Sequence, residues 1–179
     1  MDTIWVRDKQ FRILIPATDI SREVRRVGKD ISRDMEGKNP LFLSILKGSF
    51  IFAADLLREI SIPCEICFNR VSSYSGMQST KQIIEILGLD KDIKGRHVVI
   101  IEDIVDSGFT MKSILEKLYE QEPASVNIAS FMVKPENLQV ELDIRYKCFE
   151  VANDFIVGYG MDYNEYGRNL PNAYIVVEE

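Results

Sequence analysis

Three apolar runs constrain this chain more than anything else in it: LFLSIL at 41–46, RHVVIIED at 96–103 and SVNIASFMV at 125–133. Runs this continuous belong to strands covered on both faces, since a strand with one wet face would alternate apolar and polar residues. Between them, SFIFAADLLREI after Lys47 and Gly48, and SGFTMKSILEKLYEQE, read as helices. Strands alternating with helices predict an α/β fold, a mostly parallel twisted sheet flanked by helices and joined by right-handed crossovers. Ligands in such sheets bind beyond the carboxyl ends of the strands, so functional residues are expected to follow the strands.

The flanks are read the same way. Ile20, Val24, Val27, Ile31 and Met35 recur at three- and four-residue steps behind Thr18 as N-cap, which predicts a helix from about 19 to 36, ended by Gly37. Pro63 opens a strand at CEICFNRV, QIIEIL is another, and residues 72–81 between them are expected to form a loop. Further extended segments are expected at KCFEV, DFIVGYG and AYIVVE. With no repeat, low-complexity tract or linker, residues 1–179 are expected to form one domain.

Composition removes several functions. A net charge of −6 argues against sequence-independent nucleic-acid binding, which relies on many Lys and Arg to neutralise phosphates. No apolar run is long enough for a membrane span, and MDTIWVRDKQF lacks the basic-then-apolar pattern of a secretory signal, so a cytoplasmic protein is expected. Cys64 and Cys67 form a CEIC spacing, but residues three apart on a strand face opposite ways and cannot grip one ion. Free thiols in a reducing compartment are the favoured reading for both and for Cys148. His97 is the sole histidine, which excludes multi-histidine zinc sites.

The chemistry concentrates in VVIIEDIVDSGFT, 98–110. Glu102 and Asp103 stand where the buried strand ends; such a pair accepts hydrogen bonds from vicinal ribose hydroxyls or holds magnesium. Ser107, Gly108 and Thr110 run into a helix N-terminus, whose unsatisfied N–H groups and dipole suit a phosphate monoester. Asp106 lies between the two groups, facing whatever is bonded to the sugar. Alone, the acid pair would read as a solvated strand end and Ser107 as an N-cap; the length of the whole string argues for the site. No Walker A sequence occurs.

The same string, a hydrophobic strand, two acids, two apolar residues, then Asp, Ser, Gly, any residue and Thr, resembles the phosphoribosyl-pyrophosphate (PRPP) signature of type I phosphoribosyltransferases. Three further stretches are similar to the hypoxanthine-guanine branch of that family. LKGSFIFAADL (46–56) resembles its Lys-Gly loop, where backbone around Lys47 and Gly48 meets pyrophosphate, often with a non-proline cis peptide between them. RVSSYSG (70–76) resembles the mobile loop whose Ser73 and Tyr74 close over the site, and DFIVGYGMDYNEYGRNLP (154–171), after the KP at 134–135, the base-binding hood. The resemblance implies the type I fold, with a small hood built from the N-terminal segment and residues from about 150 to 179.

Carried over residue by residue, it implies that Glu102, Asp103 and residues Asp106, Ser107, Gly108, Phe109 and Thr110 bind the ribose and 5-phosphate of PRPP. Lys47, Gly48, Arg70, Ser73, Tyr74 and Arg168 meet pyrophosphate, and Glu102, Asp103 and Asp162 hold Mg2+. Lys134 donates to O6 of a 6-oxopurine, Phe155 stacks on the base, Ile156 meets its edge, Asp162 completes the base site, and Asp106 is the general base at N7. Without the resemblance, Lys134 would read as a solvated strand end and Phe155 as core. The chain departs from the family in having no Arg or Lys between Pro135 and Arg145, where a basic residue is common, so pyrophosphate contacts rest on Arg70, Arg168 and metal. The expected activity is transfer of phosphoribosyl from PRPP to hypoxanthine or guanine in purine salvage by a cytoplasmic homodimer or homotetramer. The rivals are a PRPP-sensing regulator on the same fold that binds RNA or protein, and a transferase for another base such as xanthine.

Overall fold

The computed structural model describes residues 3–74, 83–87 and 91–177, of which 71–74 and 83–87 are described as backbone alone. In chain order the strands and helices are β1 (Thr3–Val6), β2 (Lys9–Ile15), α1 (Ala17–Asp34), β3 (Leu41–Leu46), α2 (Phe50–Arg58), β4 (Glu65–Tyr74), β5 (Ile83–Leu87), β6 (His97–Val105), α3 (Phe109–Tyr119), β7 (Ser125–Val133), β8 (Tyr146–Glu150), β9 (Ile156–Val157) and β10 (Ala173–Val176). A single 3-10 turn, Pro135–Asn137, follows β7.

The large sheet has the order β5-β4-β3-β6-β7-β8. Its five strands from β4 to β8 are parallel, and only β5 runs antiparallel at the edge. Alternating residues along β3 divide between two cores, as a strand buried on both faces requires. Phe42 enters the core beneath α1 and α2 with Val24, Ile31, Phe52, Leu56 and Phe131. Leu41, Leu43 and Ile45 enter the core beneath α3 with Met111, Ile114 and Leu118. Cys64 packs against the first core and Cys67 lies in the second, so the CEIC pair straddles the sheet; neither they nor Cys148 form a disulfide. Burial pushes the Cys148 thiol up to about 12, which leaves it protonated and inert.

A second sheet, order β1-β2-β10-β9, is antiparallel and drawn from both ends of the chain. It encloses a small core of Val6, Phe11, Val157 and Tyr174. A link to α1 comes from Asn172, whose Oδ1 accepts the Ala17 N–H at 2.7 Å. That N–H is one of the helix's unsatisfied first-turn donors.

Several boundaries differ from expectation. Helix α1 begins at Ala17, with Pro16 at the cap and Thr18 inside the first turn, because proline's fixed φ already suits a helix entrance. Strand β4 runs on to Tyr74, into the expected loop, because pairing with β5 continues from Arg70↔Leu87 to Tyr74↔Ile83. Residues 75–82 of that loop lie outside the described residues. Strand β6 continues past Asp103 to Val105, and the DFIVGYG strand shrinks to Ile156–Val157, beyond which Gly158 and Gly160 take positive φ. Strands β1 and β2 were not expected at all. Among the described residues, no helix is long and apolar enough to cross a membrane.

Candidate active site

Strand β6 lies between β3 and β7, so its carboxyl end opens at the middle of the sheet. Glu102 Oε1 accepts the Asp103 N–H at 3.2 Å, which keeps the two carboxyl groups close together. Asp103 lies against the Lys47–Gly48 loop: a Cβ built on Gly48 would fall 1.7 Å from Asp103 Oδ2, so any larger residue there would push the carboxylate aside. Glu102 is half-buried, and burial, then the adjacent Asp103 charge, hold its carboxyl well above the ordinary range.

That shift has a consequence for stability. A carboxyl whose folded pKa exceeds its unfolded value adds no penalty at low pH, where it is protonated in both states, and destabilises increasingly as pH rises through that window. Glu102→Gln is therefore expected to raise the melting temperature near neutrality by about 2–4 °C, equivalent to about 1 kcal/mol, and to leave it unchanged near pH 4. Thermal unfolding at the two pH values checks this, and a neutral-pH loss would contradict it.

After β6 the chain turns through Asp106 and Ser107 into Gly108, the N-cap of α3, which has φ 85° and no side-chain cap bond. Ser107 is thus not the cap, and the first-turn N–H groups, which have no intrahelical partner, receive no side-chain cap bond from the N-cap. The loop is braced from behind. Gln139 N–H donates to Ser107 O at 3.0 Å, and a Cβ on Gly108 would meet Val140 and Leu142 at 2.7 and 2.9 Å. In front lies a cavity of about 160 Å3 lined by Glu102, Asp106, Ser107, Gly108 and Thr110 among others. Phe109 is exposed beside it, contributing its backbone.

A second cavity, of about 230 Å3, is lined by Asp103, Asp106, Lys134, Phe155, Ile156 and Asp162 among others. Both cavities are bounded by Ile104 and Asp106, so Asp106 stands at their junction. Lys134 is 8% exposed, not the solvated strand end its position suggests. Its Nζ donates to Asp106 Oδ2 at 3.2 Å and to Asn153 Oδ1 at 3.4 Å. Asn137 Nδ2 donates to the other Asp106 oxygen. Phe155 also departs from its local reading: it is 46% exposed rather than core, packed against Phe11 and Tyr163 at centroid distances of 6.4 and 5.7 Å. An aromatic ring anchored by neighbours and partly exposed in a cavity suits stacking on a base.

On the other side of Asp103, Arg168 donates from Nη1 to Gly160 O at 2.9 Å, and its Nη2 lies 2.7 Å from Asp162 Oδ1. The loops meet closely there, since a Cβ on Gly160 would fall 2.1 Å from Gly48 O. The non-proline cis bond is present but one residue earlier than expected: it joins Leu46 to Lys47, and Lys47–Gly48 is not cis. Arg70 is exposed and pairs in register with Leu46, next to Lys47. Ser73 and Tyr74 stand at the end of β4 opposite Ile84 and Ile83, with side chains outside the described set.

Three residues around the site escaped the sequence reading: Asn137, Asn153 and Glu165. Only Asn137 left a trace, lying three residues after Lys134 on one turn. Arg145, the first basic residue after Pro135, pairs with Asp34 at 2.9 Å and takes no part in the site.

Comparison with known proteins bears on this geometry. Residues 16–164 match the family model described as "Phosphoribosyl transferase domain". The hypoxanthine-guanine phosphoribosyltransferase of Streptococcus pneumoniae strain R6 is 41% identical over 169 residues, covering 94% of each chain. The chain belongs to the hypoxanthine-guanine phosphoribosyltransferase family. Solved structures agree: a Bacillus anthracis hypoxanthine-guanine phosphoribosyltransferase, with a HEPES molecule in its active site, superposes with a TM-score of 0.87 at 36% identity, covering 93% of this chain and 98% of that one. A Staphylococcus aureus hypoxanthine phosphoribosyltransferase gives 0.87 at 34% identity, covering 93% and 91%. The large sheet is therefore that of the type I phosphoribosyltransferase fold.

For a phosphoribosyltransferase of this family the expected metal is Mg2+, and the donor set fits it. Glu102, Asp103 and Asp162 offer carboxylate oxygens only, split between two places in the manner of a hard cation that takes one or two carboxylates and completes its shell with substrate phosphates and water. Cation charge beside Glu102 and Asp103 would also offset the repulsion that raises Glu102.

Proposed function

We propose that the chain transfers the 5-phosphoribosyl group of PRPP to hypoxanthine, and to guanine, releasing pyrophosphate. The observation that carries this is the junction at Asp106: a phosphate-sized cavity at a helix N-terminus and an aromatic-walled cavity with a buried lysine meet at one carboxylate. The 5-phosphate sits on the N–H groups of residues 107–110, and Glu102 and Asp103 accept the ribose hydroxyls. The purine stacks on the exposed part of Phe155 with its edge against Ile156, and Lys134 turns one ammonium hydrogen to O6. An exocyclic amino group there would meet a donor, which disfavours adenine.

Asp106 holds the proton of N7 while N9 forms the bond to C1 and the C1–pyrophosphate bond breaks, leaving its electron pair on the pyrophosphate oxygen. Glu102, Asp103 and Asp162 would hold magnesium, which would supply positive charge to neutralise that leaving group. Lys47, Gly48, Arg70 and Arg168 orient pyrophosphate, and enclosure by the second sheet as a hood limits hydrolysis at C1. The same reading has the protein act in the cytoplasm as a homodimer or homotetramer.

The test is nucleoside monophosphate formation from PRPP with each of hypoxanthine, guanine, xanthine, adenine and uracil, with and without magnesium. Metal-dependent product from hypoxanthine or guanine is expected. Xanthine as the preferred base would reassign the substrate, and no product with any base despite PRPP binding would make the protein a PRPP-sensing regulator.

A further inference from the structure

Glu165 belongs to none of the roles above, yet its carboxylate joins two cations that do. Its Oε1 accepts from Lys47 Nζ at 2.9 Å and its Oε2 from Arg168 Nη2 at 3.2 Å. The two cations come from distant parts of the chain, Lys47 lying 118 positions before Glu165 and Arg168 three after it. A carboxylate bridging a lysine and an arginine occupies the place that a phosphate oxygen would take between them.

The backbone points the same way. Tyr163 and Tyr166 exchange hydrogen bonds of 2.8 and 3.1 Å around a two-residue turn, and both central residues, Asn164 and Glu165, have positive φ, 52° and 69°. Turns of this pattern favour Asn followed by Gly, and a glutamate at the second position is held against its own conformational preference. A side chain kept at such cost in a functional loop suggests a task for that side chain. Arg168 is also incompletely served by its present partners, its Nε being buried with no acceptor among the described residues.

We propose that Glu165 is a built-in competitor of pyrophosphate: it occupies Lys47 and Arg168 while the site is empty and is displaced when pyrophosphate or the diphosphate of PRPP arrives. The inference rests on the pyrophosphate reading of Arg168 and of the Lys47–Gly48 loop, and extends it from the Lys47 backbone to its ammonium group. Both partners of the Lys47 pair are solvent-exposed, at 50% and 64%, so displacement is cheap and the latch tunes affinity rather than blocking entry. It also returns to its cations as pyrophosphate departs, which favours product release.

The test is calorimetric titration of the full chain with pyrophosphate in the presence of magnesium, comparing the parent with Glu165→Gln and Glu165→Gly. The glycine variant suits the turn and so guards against misfolding. Both variants are expected to bind pyrophosphate about two- to five-fold tighter than the parent, the range an exposed ion pair supports. Equal or weaker binding by both would show that Glu165 orders the cations instead of competing for them, and would overturn the proposal while leaving the pyrophosphate site intact. Failure of the parent itself to bind pyrophosphate would remove the site, and the latch with it.

Discussion

Asp106→Asn is expected to lower turnover roughly 10²-fold or more while nucleoside monophosphate binding stays within a few-fold of the parent chain. The substitution keeps the shape of the side chain and removes its charge. In the parent, one Asp106 oxygen accepts from Lys134 and the other from Asn137. An amide offers one acceptor and one donor, so one of those two donors must face an N–H, and the buried Lys134 loses the only carboxylate that contacts it among the described residues. The 5-phosphate, which the proposed function places on the backbone of residues 107–110, should by contrast be insensitive to the change. Steady-state turnover together with equilibrium binding of the monophosphate separates the two effects. Turnover close to that of the parent would remove Asp106 from the chemistry.

Gly160→Ala is expected to cost more than 2 kcal/mol of stability, about 4–8 °C in melting temperature, and about 10²-fold in turnover. Gly160 has φ 102°, a conformation alanine resists, and its added Cβ would sit 2.1 Å from Gly48 O. The obstacle is backbone, which cannot rotate away as a side chain could. Gly160 also exchanges hydrogen bonds with Arg168, its N–H donating to Arg168 O and its carbonyl accepting from Nη1, each at 2.9 Å. Any relief of the clash therefore moves Gly48 or Arg168, which are the two flanks of the proposed pyrophosphate site. Gly37→Ala is the control: its φ is 74° but nothing lies within 4 Å of the new Cβ, so it should lose some stability and no activity. Equal losses of turnover in both variants would detach the Gly160–Gly48 contact from function.

The parts of this molecule legible in the sequence are those whose cause is local. LFLSIL and SVNIASFMV are apolar without interruption because both faces are covered, and their strands match the expected 41–46 and 125–133. The acids after β6 and the small residues opening α3 could be read because a strand end and a helix start impose their own chemistry on neighbouring residues. Strands β1 and β2 could not be: TIWV is only four residues long, KQFRILI mixes charged and apolar residues, and what makes them strands is pairing with each other and, for β2, with β10, more than 150 positions away. Lys134 misled locally for the same reason, since its burial depends on Asp106 and Asn153 rather than on its neighbours in sequence. Glu165 gave no signal at all; an acidic residue in a polar turn is ordinary until folding sets it between Lys47 and Arg168.

The placement of β10 between β2 and β9 also dictates an order of events during synthesis. The β1–β2 hairpin is made early, but its inner edge has no partner until Ala173–Val176 emerge, by which time every strand of the large sheet is already complete. The large sheet can thus assemble first, with its carboxyl end open, and the purine-side wall is added when the strand arrives that zips the hairpin to β9. Until then the exposed edge of β2 is open to pairing with another nascent chain, so yield of this protein should depend on keeping such chains apart during translation.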